Sequence, residues 1–262
     1  MSKAATVTEN PINTYACQVT SITPLSKDTF QVELVSPDGT TLNYQAGQYL
    51  QLELDVNRDG AFHSLSYSIA NRFNPEQPRR LQLFIQNSSD FAEKVLTRLA
   101  ELKETNVNIA VTLPMGRAFL QTDLGLIHVL IAAGSGISKI KCLTEEILEQ
   151  QPDADVNIYW SNKNVGDFYL LDEFQRWVTQ YKHLNFTAIL ESASADWPGR
   201  SGYIYQVIKE DFDDLKGVQA YLCGSPQMVY GTIDQLKSRG LKEAACYSDV
   251  FEYAPRDQKI AI

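Results

Sequence analysis

Near Asp123 the chain changes from one pattern of apolar residues to another, and that change limits what it can fold into. From Tyr15 to about Val111, short segments rich in Val, Leu, Tyr and Thr follow one another through turns such as Ser36-Pro37-Asp38-Gly39 and Asn57-Arg58-Asp59-Gly60. Partial alternation broken by turn residues predicts an antiparallel sheet or barrel. After Asp123, strand-length apolar runs alternate with helix-length amphipathic stretches, the pattern of parallel α/β structure. The expected architecture is therefore an antiparallel β-barrel over residues 1–122 followed by a parallel-sheet α/β domain over residues 123–262. Strands are expected at Tyr15–Thr23, Thr29–Val35, Tyr49–Leu54, Ser64–Ile69, Arg80–Gln86 and Val107–Val111. One helix interrupts them, with Phe91, Val95, Leu96, Leu99 and Leu102 at helical spacing behind a cap at Ser89 or Asp90. In the second half, strands are expected at Leu126–Ala132, Val156–Trp160, Leu184–Leu190, Val218–Leu222 and Ala245–Tyr247. Helices are expected near Ser138–Gln150, Leu171–Gln180, Tyr203–Lys209 and Pro226–Arg239.

A chain of 262 residues, 44% hydrophobic and 21% charged, can give each half its own core. The net charge of −9 discourages non-specific binding to nucleic acid and to anionic membranes. Cys17, Cys142, Cys223 and Cys246 stand far apart, without the spacing of a zinc site or of a plant-type iron–sulfur cluster, so no metal is expected. Met1 to Asn13 lacks the apolar core of a secretory signal, and Leu126 to Ala133 is too short to span a bilayer. The expectation is a cytoplasmic protein with reduced thiols. Its oligomeric state is not legible.

The most informative segment is Ile131-Ala132-Ala133-Gly134-Ser135-Gly136-Ile137-Ser138, an apolar strand entering a glycine turn and then a helix. Such a turn lets backbone approach a pyrophosphate, which the free N–H groups of a helix N-terminus attract. Any tight strand-to-helix turn also uses glycine, and Lys139 stands where the common dinucleotide fingerprint has its third glycine. A second turn, Cys223-Gly224-Ser225-Pro226-Gln227-Met228, follows another strand; Cys223 and Gly134 would face one crevice at the strand ends. In the first half, Leu65-Ser66-Tyr67-Ser68-Ile69-Ala70 offers a ring to cover a flat ligand and hydroxyls for its polar edge, or simply a half-buried strand.

Taken in order, these stretches resemble the ferredoxin–NADP⁺ reductase superfamily, most closely its short bacterial NAD(P)H-flavin reductases. The resemblance rests on Ser66-Tyr67-Ser68, Leu81 to Ile85, Pro114-Met115-Gly116, Ile131 to Ser138, Ile158-Tyr159-Trp160, Tyr169-Leu170-Leu171, Trp197 to Gly202, and Tyr221-Leu222-Cys223-Gly224 with Met228. It implies a barrel that holds flavin (FAD, FMN or riboflavin) and an α/β domain that holds NADPH or NADH. It further implies that Tyr67 and Ser68 contact the flavin, with Ser68 beside N5, that Phe84, Ile85 and Gln86 run past it, and that Gly116 precedes the segment near its phosphate or ribityl chain. Gly134, Ser135, Gly136, Ile137 and Ser138 would lie beneath the nucleotide's pyrophosphate, and Cys223, Gly224 and Met228 beside its nicotinamide. Arg200 would contact the nucleotide, or else make a surface salt bridge. Phe251, in the aromatic C-terminal stretch Tyr247 to Tyr253, would pack near the flavin, or else be a plain core aromatic.

Two positions depart from the family pattern. The arginine that contacts a flavin phosphate is Leu65 here; His63, two residues earlier on the same strand face, is a candidate replacement. After Tyr159-Trp160 stands Ser161-Asn162-Lys163, in which Lys163 is placed to meet a 2′-phosphate as a point charge. The expected function is hydride transfer from NAD(P)H to flavin, with Ser68 and Cys223 at the reacting rings. The alternatives are a tightly flavin-bound reductase serving a ferredoxin, flavodoxin or oxygenase, and a non-catalytic nucleotide-binding subunit.

Overall fold

The computed structural model describes residues 10–256. The expected features of residues 1–9, and of the tail from residue 257, lie outside it. The first half forms a six-stranded antiparallel half-barrel of β1 (Asn13–Pro24), β2 (Thr29–Val35), β3 (Tyr49–Leu54), β4 (His63–Ser68), β5 (Arg80–Gln86) and β6 (Ile109–Met115), ordered β4-β3-β6-β1-β2-β5. Leu34, Leu50, Leu52, Leu81, Leu83 and Val111 fill it and are fully buried. Between β5 and β6, α1 (Asp90–Thr105) covers the barrel with Val95, Leu96, Leu99 and Leu102; the Ser89 hydroxyl accepts from the Ala92 N–H, as its capping position predicts. The two end strands of the sheet meet just past Ser68, where the Ala70 N–H donates to the Gln82 carbonyl at 2.8 Å.

The second half is a six-stranded parallel sheet of β7 (His128–Ala133), β8 (Val156–Asn162), β9 (Leu184–Leu190), β10 (Arg200–Ser201), β11 (Gln219–Cys223) and β12 (Cys246–Tyr247), ordered β10-β9-β8-β7-β11-β12. Helices α2 (Ile137–Gln150), α3 (Leu171–Gln180), α4 (Ile204–Asp211) and α5 (Pro226–Leu236) connect them, and α6 (Val250–Tyr253) closes the described chain. All seven residues of β8 are buried, as a central parallel strand requires. No helix among the described residues is long and apolar enough to cross a membrane.

The structure corrects one local expectation and adds two short elements. The sixth strand lies at Ile109–Met115, not Val107–Val111, because Thr112 to Met115 continue the pairing through Pro114 against β1 and β3. Arg200–Ser201 pairs with Ile189–Leu190 as an unanticipated edge strand, too short to show a period in sequence. Val250–Tyr253, to which the sequence assigned no element, is a single helical turn.

Candidate active site

The C-terminal ends of β7 and β11 lie side by side, pairing Ala132 with Cys223. Just beyond, Gly134 to Gly136 form a 3₁₀ turn that runs into α2. The two glycines of this turn have different reasons to be glycine. Gly134 adopts φ +55° and a side chain there would meet nothing within 4 Å, so its outer face is open. A Cβ on Gly136 would lie 2.3 Å from the Cys223 carbonyl oxygen, so this glycine exists to let β11 pass. Ser138 donates to the Ser135 carbonyl at 2.9 Å, and Ile137 is wholly buried, leaving only its backbone available to a ligand.

Outward from this turn a cleft of about 580 Å³ opens between the strand ends. Lys163 and Glu191, beyond β8 and β9, reach it together with Ser225, Met228 and Tyr203. The Met228 side chain lies across Gly224, where a Cβ would meet its methyl at 2.2 Å. The Ser225 hydroxyl caps α5 by accepting from the Met228 N–H, as the Ser-Pro pair predicts. Arg200 is not part of this cleft; its guanidinium is engaged by Glu210 and Asp211 and donates to the Val207 carbonyl. Of the two readings of Arg200, the surface ion pair is the one the geometry supports.

On the barrel side, strand alternation separates two residues that the sequence placed on one ring. Ser68 pairs with Tyr49 and Tyr67 with Leu50, so the neighbours Tyr67 and Ser68 face opposite sides of the sheet. Tyr67 leans on the barrel core, where burial pushes its phenol up to about 12. Tyr49 is the aromatic on the face of Ser68. Ser66 is exposed; Ile85 lies in the barrel core, Gln86 is exposed, and Phe84 turns toward the parallel half, edge-on to Tyr169 at 5.8 Å. Leu65 and His63 do share one face, but Leu65 packs on the core and the His63 ring lies 5.3 Å from that of Phe91 under α1.

The two halves approach each other at Ser68 and Cys223, where the Ser68 hydroxyl is close enough to act on the thiol. Burial pushes the Cys223 thiol up to about 11; Lys139 opposes that rise, Asp249 adds to it and the Ser68 hydroxyl opposes it. Lys139 is fully buried in the first turn of α2, with its ammonium 2.8 Å from Asp249 Oδ2. The other oxygen, Oδ1, is buried without a partner. Gly116, at φ +87°, borders the same space: a Cβ there would lie 2.8 Å from the Tyr49 ring and 2.9 Å from Asp249 Oδ1. Phe251 instead packs on α5, its ring 5.7 Å from that of Tyr230. The exposed aromatic of this segment is Tyr253, whose phenol is raised by burial and by the nearby Cys223 and Asp249.

Sequence reasoning thus missed Tyr49, Lys139, Asp249, Glu191 and Tyr253. A signal existed for Lys139, a long cation where the glycine pattern expects the smallest residue; the others become visible only when strands are paired and the C-terminus is docked.

Residues 130–233 match the family model described as oxidoreductase NAD-binding domain. Among curated relatives, an NAD(P)H-flavin reductase of Vibrio harveyi is 25% identical, with the match covering 92% of this chain and 99% of that one. An NAD(P)H-flavin reductase of Aliivibrio fischeri is 26% identical over 93% of this chain and 99% of its own. Protein RfbI of Salmonella typhimurium is 27% identical over 90% of this chain and 67% of its own. Among solved structures, the Amycolatopsis cytochrome P450 reductase GcoB superposes with a TM-score of 0.78 at 23% identity, covering 92% of this chain and 70% of that one. The cytochrome b5 reductase domain of Ulva prolifera nitrate reductase gives 0.74 at 16% identity, covering 90% and 97%. These structures share the fold, a half-barrel followed by a parallel sheet.

Proposed function

We propose that the chain is a member of the ferredoxin–NADP⁺ reductase superfamily, to whose NAD-binding model and flavin reductases it is similar, and that it passes hydride from NADPH or NADH to riboflavin, FMN or FAD. In this reading residues 1–122 present the flavin and residues 123–262 the nucleotide, in the cytoplasm. The observation that carries it is the convergence of the β4 end, the β11 end and Asp249 on one seam, with the Ser68 hydroxyl beside the Cys223 thiol across it.

The residues present fit a flat ring with a polar edge. Gly116 lets Tyr49 and Asp249 come close where a Cβ would clash with both, Tyr49 forms an aromatic wall on the face of Ser68, and Asp249 Oδ1 is an acceptor without a donor. When bound, the nicotinamide supplies the hydride and the flavin supplies the accepting ring. The chain's part is orientation. Ser68 offers a hydroxyl to the ring edge. With its acidity pushed to about 11, Cys223 stays a neutral thiol near neutral pH and acts by contact and weak hydrogen bonding rather than as a nucleophile. Gly134 leaves room for a pyrophosphate at the start of α2, and Lys163, Met228 and Ser225 line its continuation. This assignment replaces Tyr67 with Tyr49 and Phe251 with Tyr253, and leaves Arg200 out.

Leu65 favours a flavin that comes and goes over one held permanently. Packed on the core, it offers a flavin phosphate no donor. A reductase that keeps its flavin and serves a ferredoxin, flavodoxin or oxygenase would emerge yellow from gel filtration; the diffusible reading expects a nearly colourless protein. The function itself is tested by mixing the protein with NADPH or NADH, adding riboflavin, FMN or FAD in turn, and following the nicotinamide absorbance. Consumption that depends on flavin supports the reading. Nucleotide binding without consumption in any mixture points to a non-catalytic subunit.

A further inference from the structure

Lys139 occupies the place where a dinucleotide-binding turn has its third glycine, yet it does not reach out toward a phosphate. Its side chain is fully buried, turned inward from the first turn of α2, and its ammonium binds Asp249 Oδ2 at 2.8 Å. This position is unfavourable for a cation in itself, since the helix dipole is positive there and burial removes hydration. A buried ion pair seldom stabilises a fold more than apolar side chains of the same size would. Where the pair sits suggests another use. Lys139 comes from α2 and Asp249 from the segment before α6, and the partnerless Oδ1 faces Gly116 and Tyr49 of the barrel. The charged or titratable groups around it are Lys139, Cys223, Tyr49, Tyr253 and Glu252, the last of which accepts from the Arg117 N–H at 2.7 Å.

We propose that Lys139 is a positioning residue for hydride transfer that acts through Asp249: by binding Oδ2 it fixes the carboxylate with Oδ1 free, as an acceptor for a ring N–H, at the seam beside Ser68 and Cys223. The inference rests on the hydride-transfer reading. A single carboxylate–ammonium contact leaves the carboxylate one oxygen for a ligand, and Lys139 is the side chain that settles which one. The fixed charge also cancels that of the carboxylate, so Oδ1 is presented next to the Cys223 thiol without a net charge at the seam.

The test is a double-mutant cycle of Lys139→Met and Asp249→Asn, with Lys139→Arg as the conservative variant. In steady-state assays with NAD(P)H and riboflavin, Lys139→Met is expected to lower kcat by about tenfold or more with KM for both substrates nearly unchanged, since an interaction that orients only the reacting state is lost. Asp249→Asn should do the same, the double variant should be no worse than either single one, and Lys139→Arg should recover most of the rate. A second readout needs neither flavin nor nucleotide: alkylation of Cys223 by iodoacetamide, located by peptide mapping, should be slower in Lys139→Met and faster in Asp249→Asn, because the two charges push that thiol in opposite directions. Additive losses in kcat, or an unchanged kcat and an unchanged alkylation rate in Lys139→Met, overturn the proposal. A parent protein without flavin-dependent NAD(P)H oxidation overturns the reading beneath it, and the alkylation rates then still decide whether Lys139 and Asp249 act on Cys223.

Discussion

Ser68, the last residue of β4, sets its hydroxyl beside the thiol of Cys223, the last residue of β11, so a strand end of the half-barrel meets a strand end of the parallel sheet. Hydride transfer between two bound rings requires one ring on each side of such a seam, and the approach of these two residues marks it.

Ser68→Ala is expected to lower the rate of flavin reduction by about tenfold, the worth of one hydrogen bond made best as the ring edge gains its proton. Nucleotide affinity, measured by titration, should stay within about twofold. The Cys223 thiol should also become less acidic, since the nearby Ser68 hydroxyl lowers its pKa. An unchanged turnover number would remove Ser68 from the mechanism.

The glycine turn separates packing from ligand approach. A Cβ on Gly136 meets the Cys223 carbonyl at 2.3 Å, whereas Gly134 faces open space at φ +55°. Gly136→Ala should therefore cost about 1–3 kcal/mol in denaturant unfolding, as overpacking against backbone does, and displace Cys223. Gly134→Ala should cost about 1 kcal/mol, from its left-handed backbone. Equal losses would contradict the difference in their surroundings.

Much of this was legible from sequence because period and punctuation are local. Thr29–Val35, Tyr49–Leu54, Arg80–Gln86, Leu171–Gln180 and Leu184–Leu190 lie where alternation, apolar runs and helical spacing put them. The Ser89 and Ser225 caps do too. The site was less legible because it is made by pairing. Which aromatic shares a face with Ser68 depends on the register of β3 against β4, and that register selects Tyr49 over Tyr67. The ion pairs of Arg200 and Lys139 likewise join α4 and the C-terminal segment to distant strands and helices, a relation that no local pattern encodes.

His128, buried in β7, should make stability fall on the acid side. Burial lowers its pKa, partly opposed by the Leu124 carbonyl and by Asp123 and Asp155. Because the folded chain then binds this proton less readily than the unfolded chain, its contribution is complete above the unfolded value of about 6.5 and is lost as pH falls below it, by up to about 1.4 kcal/mol per pH unit. His128→Phe should flatten this part of the stability–pH curve in urea unfolding. A curve unchanged by the substitution would show that carboxylates alone account for the acid loss.

Lys163 and Glu191 stand at one cleft with opposite preferences for a ribose 2′-phosphate. Lys163→Ala should reduce kcat/KM for NADPH more than for NADH, and Glu191→Gln should improve NADPH relative to NADH, each by about fivefold for exposed charges in water. Steady-state kinetics with both nucleotides reads the ratio, and equal effects on the two would place the 2′ position elsewhere.

The central claim, direct hydride passage at the Ser68–Cys223 seam, is tested most directly by an anaerobic single turnover. The protein is mixed with riboflavin and NAD(P)H carrying either hydrogen or deuterium at the transferred nicotinamide C4 position, and the flavin and nicotinamide bands are followed together. The account predicts that both bands decay with one rate constant, that deuterium slows both, and that Ser68→Ala slows both. Loss of the nicotinamide band without bleaching of the flavin, or no change in either band although both ligands bind, would contradict it.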